Sequence, residues 1–389
     1  MATAFSEAEP ATHIVRAAVP RGNLEDFLKT ADNDENIIGV FADPRIDPIA
    51  VCPSGPEGTA KDVEQLLLVN ELQRRGLDGG GVNVVIVDTG VNMNYLRHHG
   101  KRLGFNSELS WGPVPNLPLG NMPVVPGQSL SHGTMCAYDV CIAAPACTLI
   151  DHAVLRSQAL GGSQMDGLLS DAVRSYGILL SHLTKAPQPL AGDTTPRTLV
   201  INNSWGMFQR EWDFPVGDPQ NYSDNPNHPF NLQVASLEAA GADILFAAGN
   251  CGPQCPDRRC AGETNAGIFG ANSSPAVTCV AGVDINQERL GYSTVGPGHL
   301  EDQKPDIASF THFAGSGVFT ADGGTSAATP VAAGVVAAIR RLHPASVLPP
   351  AQLRDLLRNT AEPQGDGGFN YEYGHGVINV QNLLNALPG

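Results

Sequence analysis

Charged and aromatic side chains are both scarce in this sequence, and the charges are mostly negative. Charged residues make up 16% of the 389 residues and aromatic residues 6%, and 39 acidic residues against 23 basic ones give a formal net charge of −16. Nucleic-acid binding needs a basic surface that neutralises phosphates, so this balance argues against a nucleic-acid partner. The apolar runs fall well short of the roughly 18 residues that span a bilayer, so we expect no membrane partner either.

Small and turn-forming residues are abundant instead. The chain has 43 glycines and 30 prolines, and 42% of its residues are hydrophobic. This composition is typical of a globular α/β protein with many tight turns. The first fifteen residues include Glu7 and Glu9 and have neither the basic nor the apolar region of a secretory signal. We therefore expect a cytoplasmic protein, or a secreted one whose leader is missing from this sequence.

The N-terminal part of the chain has a pattern of its own. Residues 13–19 and 37–42 are predicted to be strands, and a helix is predicted to begin after Asn23. Prolines between residues 44 and 56 indicate a linker. The sequence therefore predicts an N-terminal βαβ segment plus linker at residues 1–58 and a larger domain at 59–389.

Apolar strands alternate with helices in the larger domain. Strands are predicted at 82–87, 149–154, 198–203, 244–248 and 277–281, and helices at 60–75, 168–183, 230–240, 330–342 and 352–358. Such alternation predicts βαβ units with a mainly parallel central sheet between two helical layers, a three-layer αβα fold. The long irregular segments at 100–131, 209–231 and 254–276 are expected to be rims or insertions.

Four polar residues in glycine-rich surroundings carry the chemistry. Asp88 and Asn250 follow predicted strands, His132 lies in Ser131-His-Gly-Thr, and Ser326 precedes a predicted helix. A serine hydroxyl becomes a good nucleophile when a histidine takes its proton and a carboxylate orients that histidine. The amide of Asn250 and the helix start at Ser326 could stabilise the developing oxyanion.

The order and the contexts of these residues resemble the subtilisin-like serine proteases, the subtilase family. The motifs that carry this resemblance are Val85-Ile-Val-Asp-Thr-Gly, Ser131-His-Gly-Thr, Ala247-Ala-Gly-Asn and Gly324-Thr-Ser-Ala-Ala-Thr-Pro. Two flanking segments, Lys304-Pro-Asp-Ile and Tyr373-Gly-His-Gly-Val-Ile-Asn-Val, resemble the family as well. The similarity extends over roughly residues 60–387 and implies a subtilisin-like fold.

The resemblance also implies a serine endopeptidase acting on a peptide or protein substrate. Ser326 is then the nucleophile, His132 the general base and acid, Asp88 its orienting partner and Asn250 an oxyanion-hole donor. The implied substrate-binding residues are Ser204, Trp205, Gly206, Ala247, Ala248 and Gly249. The first three belong to a strand that pairs with the substrate backbone and borders the S1 pocket.

Other functions remain open at this point. An amine could resolve the same acyl-enzyme, which would make the protein a peptide ligase or macrocyclase, or it could be a maturation protease for one dedicated precursor. A non-catalytic peptide-binding pseudoprotease belongs to a different class. The intact set of Asp88, His132, Asn250 and Ser326 argues for an enzyme.

Two loops leave alternatives open about ligands and redox state. The chemistry requires no cofactor, and we identify no metal ligands, although Asp213, Asp218 and Asp224 could hold a structural Ca²⁺. A solvated loop is the favoured interpretation of that segment. Three cysteines, Cys251, Cys255 and Cys260, follow Asn250 directly and could form a disulfide, stay free thiols or, least favoured, bind a metal.

Two departures from the family pattern lead to further expectations. Ala327 stands where many bacterial subtilases have methionine, so we expect activity to survive mild peroxide. The N-terminal segment resembles a shortened subtilase propeptide, but an extension packed on the core is the favoured interpretation.

Overall fold

The computed structural model describes residues 15–48, 55–157, 167–184 and 198–388. It divides the chain into two units, Met1–Phe41 and Ala42–Gly389. The first unit contains helix α1 (Leu24–Asp32), which confirms the helix predicted after Asn23.

The two strands predicted in the first unit are wrong where the structure describes them. Residues 15–19 and 37–42 lie in no strand, and residues 13 and 14 are outside the described residues. The side chain of Ile38 is 81% exposed. An apolar stretch becomes a strand only where a neighbouring strand satisfies its backbone, and these residues pair with none.

Ten strands are assigned in the described part of the chain: β1 (Arg45–Pro48), β2 (Asn83–Val87), β3 (Gly104–Phe105), β4 (Thr148–His152), β5 (Gly167–Leu168), β6 (Leu199–Asn203), β7 (Trp205–Gly206), β8 (Asp243–Ala247), β9 (Thr278–Val283) and β10 (Ile307–Phe310). Seven of them form a sheet in the order β10-β9-β8-β6-β2-β4-β3. Every neighbouring pair in this sheet is parallel. The predicted parallel α/β sheet is thus confirmed.

Helices cover both faces of this sheet: α2 (Ala60–Leu66), α3 (Val69–Arg74), α4 (Met93–His98), α5 (His132–Ala143), α6 (Leu169–Thr184), α7 (Pro229–Ala239), α8 (Thr325–Arg340), α9 (Pro350–Thr360) and α10 (Val380–Ala386). Val84 and Ile86 share one apolar core with α5 and α8, whereas Val85 and Val87 share another with α6 and α7. Because successive side chains of a strand point to opposite faces, the sheet lies between two helical layers. None of the described helices is long and apolar enough to cross a membrane.

Some helices differ from the sequence prediction. The helix predicted over 60–75 is interrupted at Leu68, whose backbone is left-handed (φ 49°). Helix α8 begins at Thr325, before the predicted start at 330, and therefore includes Ser326. The sequence pattern does not predict α5, because eleven of its twelve residues are buried and it has no polar face.

A second, smaller sheet has the order β5-β1-β7 and is antiparallel. Its central strand β1 belongs to the proline-containing stretch that predicts a linker. The pairs are Arg45 with Leu168, Ile46 with Gly167, Asp47 with Gly206 and Pro48 with Trp205. The stretch predicted to be a linker therefore contributes strand β1 to the unit Ala42–Gly389, which also contains the main sheet.

Candidate active site

Asp88 and His132 form a buried pair at the carboxyl edge of the parallel sheet. Asp88 follows β2 directly, and His132 is the first residue of α5. The Nδ1 atom of His132 lies 2.9 and 3.0 Å from the two carboxylate oxygens of Asp88. This contact places the proton on Nδ1 and leaves Nε2 as the proton acceptor, which is the tautomer of a general base. Nε2 is buried and has no hydrogen-bond partner among the described residues.

Gly133 allows α5 to approach the loop that follows β2. A Cβ atom at Gly133 would lie 2.7 Å from the Gly90 carbonyl oxygen. The Gly133 N–H donates to the Thr89 hydroxyl oxygen at 2.9 Å. A side chain at this position would therefore push His132 away from Asp88.

Ser326 lies in the first turn of α8 and is buried. Its hydroxyl donates to the Ser204 carbonyl oxygen at 3.2 Å. The Sγ of Cys136 is 3.6 Å from the Ser326 carbonyl oxygen and 3.7 Å from His132 Nδ1, so one sulfur contacts both residues. The structure thus brings Asp88, His132 and Ser326 together, with the Ser326 hydroxyl turned towards Ser204.

Cys136 is a site neighbour that the sequence reasoning missed. It lies one helical turn after His132 on α5, a spacing that becomes visible only once α5 is recognised as a helix. Burial and the nearby Asp88 raise the pKa of the Cys136 thiol well above its usual value. The thiol is therefore neutral and packs behind the pair; it is not a nucleophile.

Asn250 is oriented by the residue that precedes Ser326. Its side-chain oxygen accepts the Thr325 N–H at 3.0 Å and the Thr325 hydroxyl at 3.1 Å. These contacts assign the amide orientation, with the Nδ2 donor at the opposite end. The Ser326 N–H lies in the first turn of α8, where N–H groups have no acceptor within the helix. The oxyanion-hole roles of the Asn250 amide and the Ser326 N–H stay predictions.

The two segments predicted to bind substrate border one small cavity of about 20 Å³. Gly206 lines it on one side, and Ala248 and Gly249 line it on the other. The other predicted substrate-binding residues, Ser204, Trp205 and Ala247, are fully buried. The rest of the wall is largely apolar and includes Met207, Phe208, Ile268 and Phe269.

Asn272 holds these two segments together, and the sequence reasoning did not identify it. Its side-chain amide donates to the carbonyl oxygens of Trp205 and Ala247, each at 2.8 Å. Asn272 lies in a long irregular segment without a motif around it, so only the fold reveals its position.

Strand β1 occupies the edge of β7 that is predicted to pair with a substrate. Ser204, which precedes β7, accepts the hydrogen bond of Ser326, so β1 lies near Ser326. The side chain of Ile46 is fully buried in the apolar core that contains Leu155. A Cβ atom at Gly167 would approach Ile46 to 2.7 Å, so the two strands are in close contact.

A disulfide lies next to Asn250. Cys251 and Cys260 are joined, which confirms the disulfide alternative for this pair. Cys255 is also disulfide-bonded. Cys251 lines the cavity directly after Asn250, and the Asn250 carbonyl oxygen accepts the Asp257 N–H at 2.9 Å. The cysteine loop therefore supports both the cavity wall and Asn250.

The acidic residues of segment 209–231 are engaged by protein donors. The Asp213 carboxylate accepts hydrogen bonds from the Tyr222 and Ser223 N–H groups. The Asp218 carboxylate accepts one from the Gln220 N–H. Asp224 contacts a ring nitrogen of His299 at 2.5 Å. They form no metal-ligand cluster within the described residues. Calcium binding there stays a prediction.

Comparisons with known proteins agree with this geometry. A family model described as the subtilase family matches residues 79–376. Serine protease AprX of Bacillus subtilis (strain 168) is 26% identical over 359 residues, which cover 82% of this chain and 69% of AprX. Bacillopeptidase F of the same organism is 26% identical over 345 residues, which cover 80% of this chain. The chain spans only 21% of the length of bacillopeptidase F.

The fold is similar to that of a solved peptide maturation protease. The structure of the prenylagaramide maturation protease PagA superposes with a TM-score of 0.52 at 18% identity, and the match covers 82% of this chain and 99% of PagA. At this identity the likeness concerns the fold alone.

Proposed function

We propose that this chain, which belongs to the subtilase family, is a serine endopeptidase that hydrolyses peptide bonds through an acyl-enzyme on Ser326. The observation that carries this proposal is the buried Asp88–His132 pair, in which Nδ1 contacts Asp88 and Nε2 has no partner among the described residues. The sulfur of Cys136 contacts both His132 and the carbonyl oxygen of Ser326, and Ser326 lies at the start of a helix.

Acylation begins when the Ser326 hydroxyl turns from the Ser204 carbonyl to His132 Nε2. The hydroxyl proton moves to Nε2 as the serine oxygen attacks the substrate carbonyl carbon. The Asp88 carboxylate stabilises the imidazolium that forms. The side-chain amide of Asn250 and the Ser326 N–H donate to the new oxyanion. His132 then gives its proton to the leaving amine, and the acyl group stays on Ser326.

Deacylation repeats these steps with water as the nucleophile. His132 Nε2 takes a proton from water, the resulting oxygen attacks the acyl carbon, and the proton returns to Ser326 as the new carboxyl group leaves. The oxyanion donors serve both half-reactions because the carbonyl oxygen occupies the same place in each.

An extended peptide with an apolar side chain before the cleaved bond suits this site as substrate. Its backbone would add as a strand between β5 and β7, where main-chain hydrogen bonds provide affinity. The cavity beside Gly206 is small, but Met207, Phe208 and Phe269 line it, and an apolar wall favours an apolar side chain.

Strand β1 would inhibit this reaction from within the chain. β1 pairs antiparallel with β5 on one side and with β7 on the other. A bound substrate strand would need these same two strand edges. A substrate strand therefore has to displace β1, and the buried side chain of Ile46 opposes that displacement.

The proposal is tested by product analysis in water enriched in oxygen-18. The wild-type chain should cleave a peptide library and place one heavy oxygen in each new carboxyl group, and Ser326→Ala should release no products. Joined or cyclic peptides without heavy oxygen would indicate a ligase instead. Peptide binding without any product, by a folded wild-type chain, would indicate a pseudoprotease.

A further inference from the structure

One arginine side chain bridges the two loops that carry Asp88 and His132. Arg156 lies in a short helical turn that follows β4. Its Nε donates to the Thr89 carbonyl oxygen at 2.6 Å, and its Nη2 donates to the Leu130 carbonyl oxygen at 3.1 Å. Thr89 directly follows Asp88 in the sequence. Leu130 lies two residues before His132. A single guanidinium group therefore connects the backbone next to both members of the pair.

The sheet places Arg156 beside Asp88. Strands β2 and β4 are parallel neighbours, so the segments that follow them leave the sheet side by side. The Asp88 N–H donates to the His152 carbonyl oxygen, and the Leu155 N–H donates to the Asp88 carbonyl oxygen, each at 3.0 Å. Because Arg156 follows Leu155, its side chain starts next to the Asp88 loop, and from there it reaches the segment before α5.

The start of α5 is not fixed by its own cap residue. Ser131 precedes the helix, but its side chain makes no capping hydrogen bond to it. The Ser131 hydroxyl instead accepts the Val125 N–H at 2.7 Å, within the same long irregular segment. The Leu130 carbonyl oxygen is bound by Arg156, which belongs to a different part of the chain. Arg156 therefore anchors a helix start that lacks the usual side-chain cap.

A guanidinium group is well suited to hold two carbonyl groups at a fixed spacing. It is planar, and its Nε–H and Nη2–H donors lie along one rigid edge. Two carbonyl oxygens that accept from this edge must keep the spacing of the donors. A lysine ammonium group is a point charge on a flexible stem and does not impose such a spacing. Arg156 is also partly buried, which limits the freedom of its side chain to turn away.

We propose that Arg156 is a positioning residue that keeps His132 in hydrogen-bonding contact with Asp88. It acts through the backbone, because it fixes the spacing of the Thr89 and Leu130 carbonyl groups. Proton transfer needs this alignment, since a displacement of about 1 Å can lower the rate about 10²-fold. The inference deepens the proposed peptidase function and rests on it where activity is measured.

The test compares Arg156→Met, Arg156→Lys and Arg102→Met. Methionine keeps an unbranched apolar side chain but has no hydrogen-bond donor. Lysine keeps the charge but lacks the planar pair of donors. Arg102 is exposed, so Arg102→Met is the control for the same change in net charge. We measure kcat and KM on a peptide substrate, the unfolding midpoint and the proton NMR spectrum of each variant.

In Arg156→Met, kcat should fall about 10- to 100-fold while KM stays within about twofold of wild type, because His132 is displaced and the substrate cleft is intact. Arg156→Lys should regain only part of this loss, since one ammonium group does not hold both carbonyl groups at a fixed spacing. Arg102→Met should behave like wild type. Full activity in Arg156→Lys would show that the charge alone suffices and would refute the proposed role.

The proton on His132 Nδ1 reports the contact with Asp88 without any reaction. In a short hydrogen bond to a carboxylate, this proton resonates far downfield of the amide protons, and its loss in His132→Ala identifies the signal. The signal should be the same in wild type and Arg102→Met, and it should be shifted or weakened in Arg156→Met. An unchanged signal and an unchanged kcat in a folded Arg156→Met would refute the positioning role.

Failure of this inference and failure of the proposed function give different results. A wild type without peptidase activity, together with a downfield signal that changes in Arg156→Met, would refute the proposed function alone. An active wild type with an equally active Arg156→Met would refute the role of Arg156 alone. Should Arg156→Met fail to fold, Arg156→Lys decides the question. A reduced kcat at unchanged KM supports the role, and wild-type kinetics refute it.

Discussion

The hydroxyl of Ser326 donates its hydrogen bond to the carbonyl oxygen of Ser204, at 3.2 Å. His132 Nε2, which takes the serine proton in the proposed reaction, has no partner in the described part of the chain. Ser204 immediately precedes β7, the strand that pairs with β1. Ser326 is therefore hydrogen-bonded to the residue that precedes β7, the strand with which β1 pairs.

Ser326→Ala and His132→Ala should each remove nearly all activity, and the double variant should be no worse than either single one. The two side chains act in one proton transfer, so losing either leaves only the oxyanion donors and binding. Steady-state kinetics on a chromogenic peptide amide measures this. Independent, multiplicative losses would argue against a shared mechanism.

Asn250→Ala should lower kcat about 10²- to 10³-fold with KM nearly unchanged, because its donor acts on the oxyanion that forms during the reaction. Thr325→Val is the matched control. It removes the hydroxyl contact with Asn250 but keeps the Thr325 N–H bond, so its loss should be far smaller. Equal losses in the two variants would assign Asn250 a structural role only.

Ile46→Asp should weaken the hold of β1 on the cleft and lower KM for an added peptide, while kcat stays the same. The buried aliphatic side chain is replaced by a charge that is costly to bury. Ile38→Asp makes the same substitution at an exposed position and should leave KM unchanged. An unchanged KM in Ile46→Asp would mean that β1 does not compete with substrate.

The double variant Cys251→Ala/Cys260→Ala should unfold at a lower temperature and have a lower kcat. The link closes a loop with a sequence separation of 9, which in the chain-entropy estimate stabilises the fold by about 2–3 kcal/mol. Its removal also loosens Cys251 and hence Asn250. Calorimetry and kinetics test the two effects separately, and an unchanged unfolding temperature contradicts the first.

Mild peroxide should change KM more than kcat. Ala327 leaves no thioether next to Ser326, but Met207 lines the cavity that receives the substrate side chain. Met207→Leu should abolish the change in KM. A rapid loss of kcat traced to the peptide containing Ser326 would contradict this expectation.

Short motifs and apolar runs revealed most of the main sheet and all four proposed catalytic residues. The motifs revealed the four residues because each motif lies at the end of a strand or the start of a helix, where local sequence determines the backbone. Asn272 was missed because its hydrogen bonds reach Trp205 and Ala247, which are far from it in sequence, and no local pattern encodes such contacts. β1 was missed because a four-residue strand with a proline has little signal until its neighbours are known.

The most direct test of the account is labelling with a fluorophosphonate, followed by mapping of the modified peptide. We use the wild-type chain, Ile46→Asp, His132→Ala and Ser326→Ala at neutral pH. The account predicts a single label on Ser326, faster in Ile46→Asp than in wild type, strongly slowed in His132→Ala and absent in Ser326→Ala. The account is contradicted if the wild-type chain and Ile46→Asp are both folded and both stay unlabelled. A label on a residue other than Ser326 would contradict it as well.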